Sequence, residues 1–337
     1  MDIHGDGLIT KLNHMVRTRC YRDGAIPAEG FPVADVSEYL ADPRNTVWFD
    51  VCEPDPKDLE VIREELGLHA LAVEDALHPG QRPKLDQYAE HEFLVAYSTD
   101  LDPETQELRG HEVGVFLTKT ALVTVRADDS FDIEAVIARW DAMSRLASSG
   151  VVYLLHGLLD YVVDTHFDTV QQLDQDIDGL EGQLFDEQTS DADLQRRSFA
   201  LRKSLVNFRR LVLPMRDVVS SLLKHDLGGT DETMVPYYRD VYDHILRVTE
   251  WTESLRDLLA NIMETRLTVR SNRLNVIVKK VTSWAAIIAV PTAVTGFYGQ
   301  NLPYPGYQQT WGFWMSTAVI VVLSVGLYVV FRIRDWL

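Results

Sequence analysis

The chain has 337 residues, a formal charge of −19 and two cysteines. So acidic a chain repels nucleic acid and concentrates cations at its surface. Cys20 and Cys52 stand apart without ligand spacing, which excludes a disulfide framework or a cysteine-ligated metal and reads as reduced cytosolic thiols. The length admits two domains, and residues 1–6 lack the basic and apolar regions of a secretory signal, so a cytoplasmic N-terminus is expected.

Residues 1–146 read as a cytoplasmic α/β domain. Segments 16–21 and 46–51 have the alternation and β-branched content of strands. Segments 55–66 and 70–77 read as helices; Pro54 and Pro56 bracket the start of the first, and Gly67 ends it. Strands follow at 92–99, 112–118 and 121–126. Only Lys119 and Thr120 separate the last two, which predicts a hairpin. Residues 133–146 close the domain as a helix.

From 147 to 235 the texture changes to long helices. Segments 151–185 and 194–223 carry apolar residues at spacings of three and four, linked by the polar 186–193 stretch. Residues 224–235, with Gly228 and Gly229, form the next connection. Pro236 then stands at a helix start, where its missing N–H costs nothing. No glycine or proline follows until Pro291. A stalk helix over 236–280 therefore runs on into the segment behind it, for a length on the order of 85 Å.

Residues 281–331 contain no Asp, Glu, Lys or Arg. The polar, Pro/Gly-rich piece from Tyr298 to Gly306 divides them into two apolar segments of about 20 residues, the length that crosses a bilayer. The reading is a transmembrane helix at 281–300, an external loop at 301–310 and a second helix at 311–331. Lys279 and Lys280 precede the hairpin, and Arg332 and Arg334 open the basic tail at 332–337. The positive-inside rule thus puts both termini in the cytoplasm of a multi-pass protein of the plasma (inner) membrane. Trp284 and Trp336 fall near the inner interface, and Tyr298, Tyr304, Tyr307, Trp311 and Trp314 near the outer one, as an aromatic belt. The fold class expected is an α+β domain, long stalk helices and a two-helix membrane hairpin.

Two spans cannot enclose a pore, so transport requires a ring of subunits. Asn275, Val278, Val281, Ala285, Ala289, Thr292 and Gly296 recur at three- and four-residue spacing and share one face of the first span. That small, mildly polar face suits a pore wall or a close helix contact. Asn275 and Thr292 favour the pore, because polar groups at membrane depth need water or a partner. Pro291 is expected to bend the helix.

Tyr298-Gly299-Gln300-Asn301, behind Leu274-Asn275 and Lys279, resembles the Tyr-Gly-Met-Asn signature of CorA-type magnesium transporters. Residues 69–75 (HALAVED), Gln81-Arg82-Pro83-Lys84, residues 236–244 (PYYRDVYDH) and the tail from Arg332 to Leu337 are similar to that family too, in its order, from about residue 46 to the end. The resemblance implies a homopentameric funnel, a stalk continuous with the pore-lining helix and a second span packed outside it. It makes Gly299, Gln300 and Asn301 the selectivity filter, and Glu74, Asp75, Asp160 and Asp240 the carboxylates of a regulatory Mg2+ site between neighbouring cytoplasmic subunits. Gln300 replaces the family's Met, and the external loop lacks acids, which bears on the choice of ion.

The chemistry agrees with a hydrated ion. Mg2+ dehydrates reluctantly and wants an octahedron of oxygens at about 2.0–2.1 Å. A fivefold ring of Asn301 amides cannot supply that octahedron, but its carbonyls can accept from the ion's waters. Carboxylates from adjacent subunits repel until a divalent cation neutralises them, so Mg2+ would hold the ring closed. The function expected is a passive, gated Mg2+ uptake channel, with Co2+ and Ni2+ as further ions and Mg2+ as both cargo and regulator. The alternatives are a zinc or other transition-metal transporter of the same fold and a non-conducting, membrane-anchored cation sensor. No phosphate-binding loop, metal-ligand spacing or nucleophile–base pair points to an enzyme. His69 and His244 read as structural.

Overall fold

The alternation at 46–51 and 121–126 builds the centre of a seven-stranded sheet. In the computed structural model, which describes residues 16–183, 190–224, 232–300, 303 and 305–337, the strands are β1 (Val16–Arg22), β2 (Ala25–Glu29), β3 (Asn45–Cys52), β4 (Lys84–Gln87), β5 (Glu92–Leu101), β6 (Leu108–Leu117) and β7 (Ala121–Arg126). Their order is β2-β1-β3-β7-β6-β5-β4. Every neighbouring pair is antiparallel except β3 with β7, whose parallel register sets Trp48 against Leu122 and Asp50 against Thr124. β6 and β7 form the expected hairpin, with Leu117 opposite Leu122 and the Thr118 hydroxyl oxygen accepting from Ala121 N–H at 2.9 Å.

Successive side chains alternate between faces, and the two faces meet different helices. Phe49, Val51, Phe93, Val95, Phe116 and Val125 share one core with Leu59 and Ile62 of α2 (Pro56–Leu66) and Ala72 and Val73 of α3 (Ala70–Leu77). Asp55 caps α2 by accepting from Lys57 N–H at 3.0 Å, and Gly67 ends it at φ 66°. On the other face Trp48 meets Trp140 of α4 (Ile133–Ala142) edge to face at 5.0 Å. Trp140 Nε1–H in turn donates to the Leu154 carbonyl of α5 (Val151–Gly182) at 2.9 Å. This face also buries an ion pair, Arg126 to Asp50 at 2.7 Å, each side chain no more than 2% exposed.

Three differences from the sequence reading have physical reasons. β2 and β4 were not expected; both are short edge strands, β2 almost wholly exposed with Pro27 at the rim and β4 polar, so neither shows a half-buried alternation. A short helix α1 (Val36–Leu40) likewise has only Val36 buried. The helix expected over 133–146 stops at Ala142 because the Met143 amide is shared between the Arg139 and Trp140 carbonyls, and a 3-10 turn, Ser144–Ser149, follows. The expected end of α5 at 185 lies outside the described residues.

α6 (Asp191–Lys224) and α7 (Val235–Tyr298, 64 residues) are continuous through Pro214 and Pro291 respectively, and α8 is Thr310–Ile333. Two compact units result, one ending at Ala260 and the other Asn261–Leu337. In the second, α7 and α8 are each long and apolar enough to cross a membrane. Ile288, Phe297, Phe313, Trp314 and Val322 are all more than half exposed. A soluble helix of this composition would bury such side chains; these need lipid or a protein neighbour.

Candidate functional site

All seven positions of the apolar-segment stripe, Asn275, Val278, Val281, Ala285, Ala289, Thr292 and Gly296, are exposed on α7. The opposite side of the helix carries buried Ser283 and half-buried Ile287, Val290 and Val294. From that side Val294 and Tyr298 line a groove of about 570 Å³ with Phe313 and Thr317 of α8. The stripe therefore points away from α8 and is left uncovered by the chain's own second apolar helix. Val278 and Val281, 62% and 63% exposed, form its apolar part. Thr292 corrects one step of the sequence argument: its hydroxyl donates to the Ile288 carbonyl at 3.1 Å and needs no outside partner. The polarity argument then rests on Asn275.

At the end of α7, Gly299 N–H donates to the Thr295 carbonyl at 2.8 Å. A Cβ at 299 would fall 2.9 Å from that same oxygen, so no side chain fits there without a backbone shift. Gln300 is exposed, its N–H donating to the Phe297 carbonyl at 3.3 Å. Asn301 lies outside the described residues. Beyond it Gly306, at φ +89°, brings the chain against α8, where a Cβ on Gly312 would sit 2.4 Å from the Gly306 carbonyl oxygen. Gly306 and Gly312 thus meet backbone to backbone.

One protomer does not gather the four carboxylates. Glu74 and Asp75 belong to α3, on one face of the sheet, whereas Asp160 belongs to α5, on the other. Among the described residues no group of three or more His, Cys, Asp or Glu side chains is placed to share a metal. Glu74 is exposed and, among the described residues, has no ion pair. Asp240 of α7 is 68% exposed, with His244 Nδ1 at 3.6 Å. Asp75 and Asp160 each hold a cation from their own chain: Lys84 Nζ lies 2.5 Å from Asp75, and Arg139 reaches Asp160 at 2.5 Å and Asp164 at 2.6 Å. As all-oxygen, accessible donors the four fit a hard divalent cation; two of them must exchange a partner to take it.

Asp160 and Asp240 do act on one common group. His156 of α5 is 3% exposed, with its ring edge-on to Tyr237 and Tyr238 of α7. Burial pushes its pKa below the ordinary histidine value, and the charges of Asp160 and Asp240 oppose that shift. Burial also pulls Arg139 down, but its bonds to Asp164 and Asp160 outweigh this and hold it firmly charged. His69 is structural as expected: it is the N-cap of α3, its Nδ1 accepting from Leu71 N–H at 3.2 Å. Lys84, Arg139 and His156 had no place in the sequence reading of the site. Only Lys84 had a signal, its place in the Gln81–Lys84 segment beside the acids of α3.

A sheet domain thus leads by one long helix into an apolar pair, and known proteins share this plan. The model of the family described as CorA-like Mg2+ transporter protein matches residues 44–333. The cobalt/magnesium transport protein CorA of Thermotoga maritima is 29% identical over 313 residues, 91% of this chain and 88% of its own length. The zinc transport protein ZntB of Yersinia enterocolitica is 22% identical, over 76% of this chain and 77% of its own. In fold, the complete structure of the CorA magnesium transporter from Methanocaldococcus jannaschii is similar with a TM-score of 0.76 at 21% identity, over 96% of this chain and 99% of that one. A family match over so much of the chain, on this architecture, makes the protein a member of the CorA-like Mg2+ transporters, a family that carries divalent cations across membranes.

Proposed function

We propose that the protein is a passive, gated Mg2+ uptake channel of the plasma membrane, working as a homopentamer with both termini in the cytoplasm. The observation that carries the proposal is the uncovered stripe from Asn275 to Gly296, on the side of α7 away from α8. Five such stripes facing one axis would line a pore with small side chains and narrow it at the Val278 and Val281 rings, an apolar constriction that disfavours water and ions. Asn301 would receive the hydrated ion at the outer mouth, beside Gly299 and Gln300. An inside-negative potential drives entry by about 4.6 kcal/mol per 100 mV for a divalent ion, twice the single-charge value of about 2.3, so no nucleotide is required.

Cytoplasmic Mg2+ would close the gate by joining Glu74 and Asp75 of one subunit to Asp160 and Asp240 of the next. The separation of these acids over two faces of the sheet in one protomer supports a shared rather than a private site. A zinc-transporting reading is favoured by one specific observation, Gln300 in place of the family's Met, together with the likeness to ZntB.

Ion influx into proteoliposomes under a potassium diffusion potential tests both. Mg2+, Co2+, Ni2+ and Zn2+ are compared with and without a pH gradient, for the wild type and Asn301→Ala. The proposal expects potential-driven Mg2+ entry indifferent to the pH gradient, and its loss in an Asn301→Ala protein that still assembles. Zn2+ entry that requires a pH gradient, without Mg2+ entry, would replace it with the second reading.

A further inference from the structure

Resting on that reading of a cytoplasmic Mg2+ sensor, we propose that Lys84 is a competing counter-ion built into it. Lys84 sets the Mg2+ concentration at which Asp75 exchanges its intrachain ammonium for the metal. The Lys84 ammonium lies 2.5 Å from Asp75 Oδ2 and 2.7 Å from Asp86 Oδ2, and 5.7 Å over the Phe93 ring. Burial lowers its pKa, but the hydrogen bonds to Asp75 and Asp86 outweigh this, so it stands above the ordinary lysine value and stays charged. The side chains of Lys84 and Asp75 are 24% and 31% exposed. At that depth the pair is neither screened as an open surface pair is nor sealed from an incoming ion.

The backbones on both sides of the pair are fixed. Lys84 stands in register with Val95 in the β4–β5 ladder. Asp75 lies in α3, and the loop after α3 is tied to the sheet through Glu112, which accepts from Gly80 N–H at 2.5 Å and from the Tyr97 hydroxyl at 2.6 Å. Only the lysine stem has to swing for Asp75 to be released. Lysine suits this, being a point charge on a flexible chain. Arg139 does not: its planar fork spans Asp160 and Asp164 on successive turns of α5 and lies 5.7 Å over the Tyr161 ring. Glu74 pairs with no cation among the described residues. Of the two carboxylates that hold a Lys or Arg of their own chain, Asp75 is therefore the one whose availability to Mg2+ is tuned by an exchangeable charge. A divalent cation that takes it must first displace that charge, which raises the concentration needed for closure.

Digestion of the full-length protein by chymotrypsin, which does not cut at lysine, tests this across an Mg2+ titration at constant ionic strength. Lys84→Gln should lower the Mg2+ concentration for half-maximal protection about three- to tenfold, and Lys84→Arg, which keeps the charge but replaces the mobile ammonium with a fork, should not lower it. Asp86→Asn, a surface change that gives Asp75 sole claim on the ammonium, should raise it. Lys57→Gln, an equal loss of charge on an exposed lysine, should leave it unchanged. An unmoved midpoint in Lys84→Gln and Asp86→Asn overturns the proposal, as does an equal shift in Lys57→Gln. A shift of Lys84→Gln to higher Mg2+ overturns it also, because Lys84 would then be holding Asp75 in place for the metal. If the wild type itself shows no Mg2+-dependent protection, the sensor reading falls first and this one with it.

Discussion

His166 shows how a single buried ring writes a pH dependence into the cytoplasmic unit. It is wholly buried, its Nε2–H donating to the Tyr97 carbonyl at 2.8 Å, while Nδ1 has no hydrogen-bond partner among the described residues. Burial holds its pKa down to about 4. In the unfolded chain the ring titrates near 6.5, so the folded state gains nothing from protonation until far lower pH. Stability from this group is complete above about 6.5, falls as pH drops below that value and is exhausted near 4, a loss of up to about 3 kcal/mol. His91 and His156, also lowered by burial, add to the fall in the same direction. His166→Gln keeps a donor for Tyr97 and removes the titration. Its melting temperature should drop less than the wild type's between pH 7 and pH 4.5; equal drops would show that His166 does not set the slope. None of this was legible beforehand. The partners that fix charge states here, Arg139 with Asp160 or Asp50 with Arg126, are 21 and 76 residues apart in sequence. Spacing rules reach only along one element.

Elements were read best where their own residues carry the signal. α3 and β7 have the bounds that their apolar pattern and flanking residues predict, 70–77 and 121–126. β2 and β4 escaped because an edge strand takes its hydrogen bonds from a neighbour and needs no apolar face of its own. α7 was legible through the long absence of glycine and proline, and helical periodicity put its stripe on one face; that this face lies away from α8 could not be read from spacing. The approach of Gly306 to Gly312 was not legible either, since it joins two glycines six residues apart. Gly312→Ala tests whether that approach serves the ion pathway. A methyl 2.4 Å from the Gly306 carbonyl oxygen forces the backbone to shift. The variant should assemble normally, because the change lies in the unit Asn261–Leu337 and the four carboxylates belong to the other, and lose at least about tenfold in Mg2+ influx. Influx at the wild-type rate in an assembled Gly312→Ala protein would mean that the approach is not needed for conduction.

At the scale of the whole molecule, the formal charge of −19 and the uncharged stretch from residue 281 to 331 divide the chain into two chemistries. The acidic part offers carboxylates to cations, and the apolar part offers a hydrophobic helix pair to a bilayer; α7 contributes residues to both units. That division was visible from charge alone. Which acids would share a cation under the proposal was not, because one protomer leaves Glu74 and Asp75 on one side of its sheet and Asp160 on the other. The central claim is that cytoplasmic Mg2+ controls a conductance for divalent cations. Its most direct test is current through the full-length protein in a planar bilayer, with Mg2+ on the external side and cytoplasmic-side Mg2+ stepped between chelated and millimolar levels. The account predicts inward current when the cytoplasmic side is chelated, closure when Mg2+ is added there, and recovery on renewed chelation. A current indifferent to cytoplasmic Mg2+, or no divalent current at either level, would contradict it.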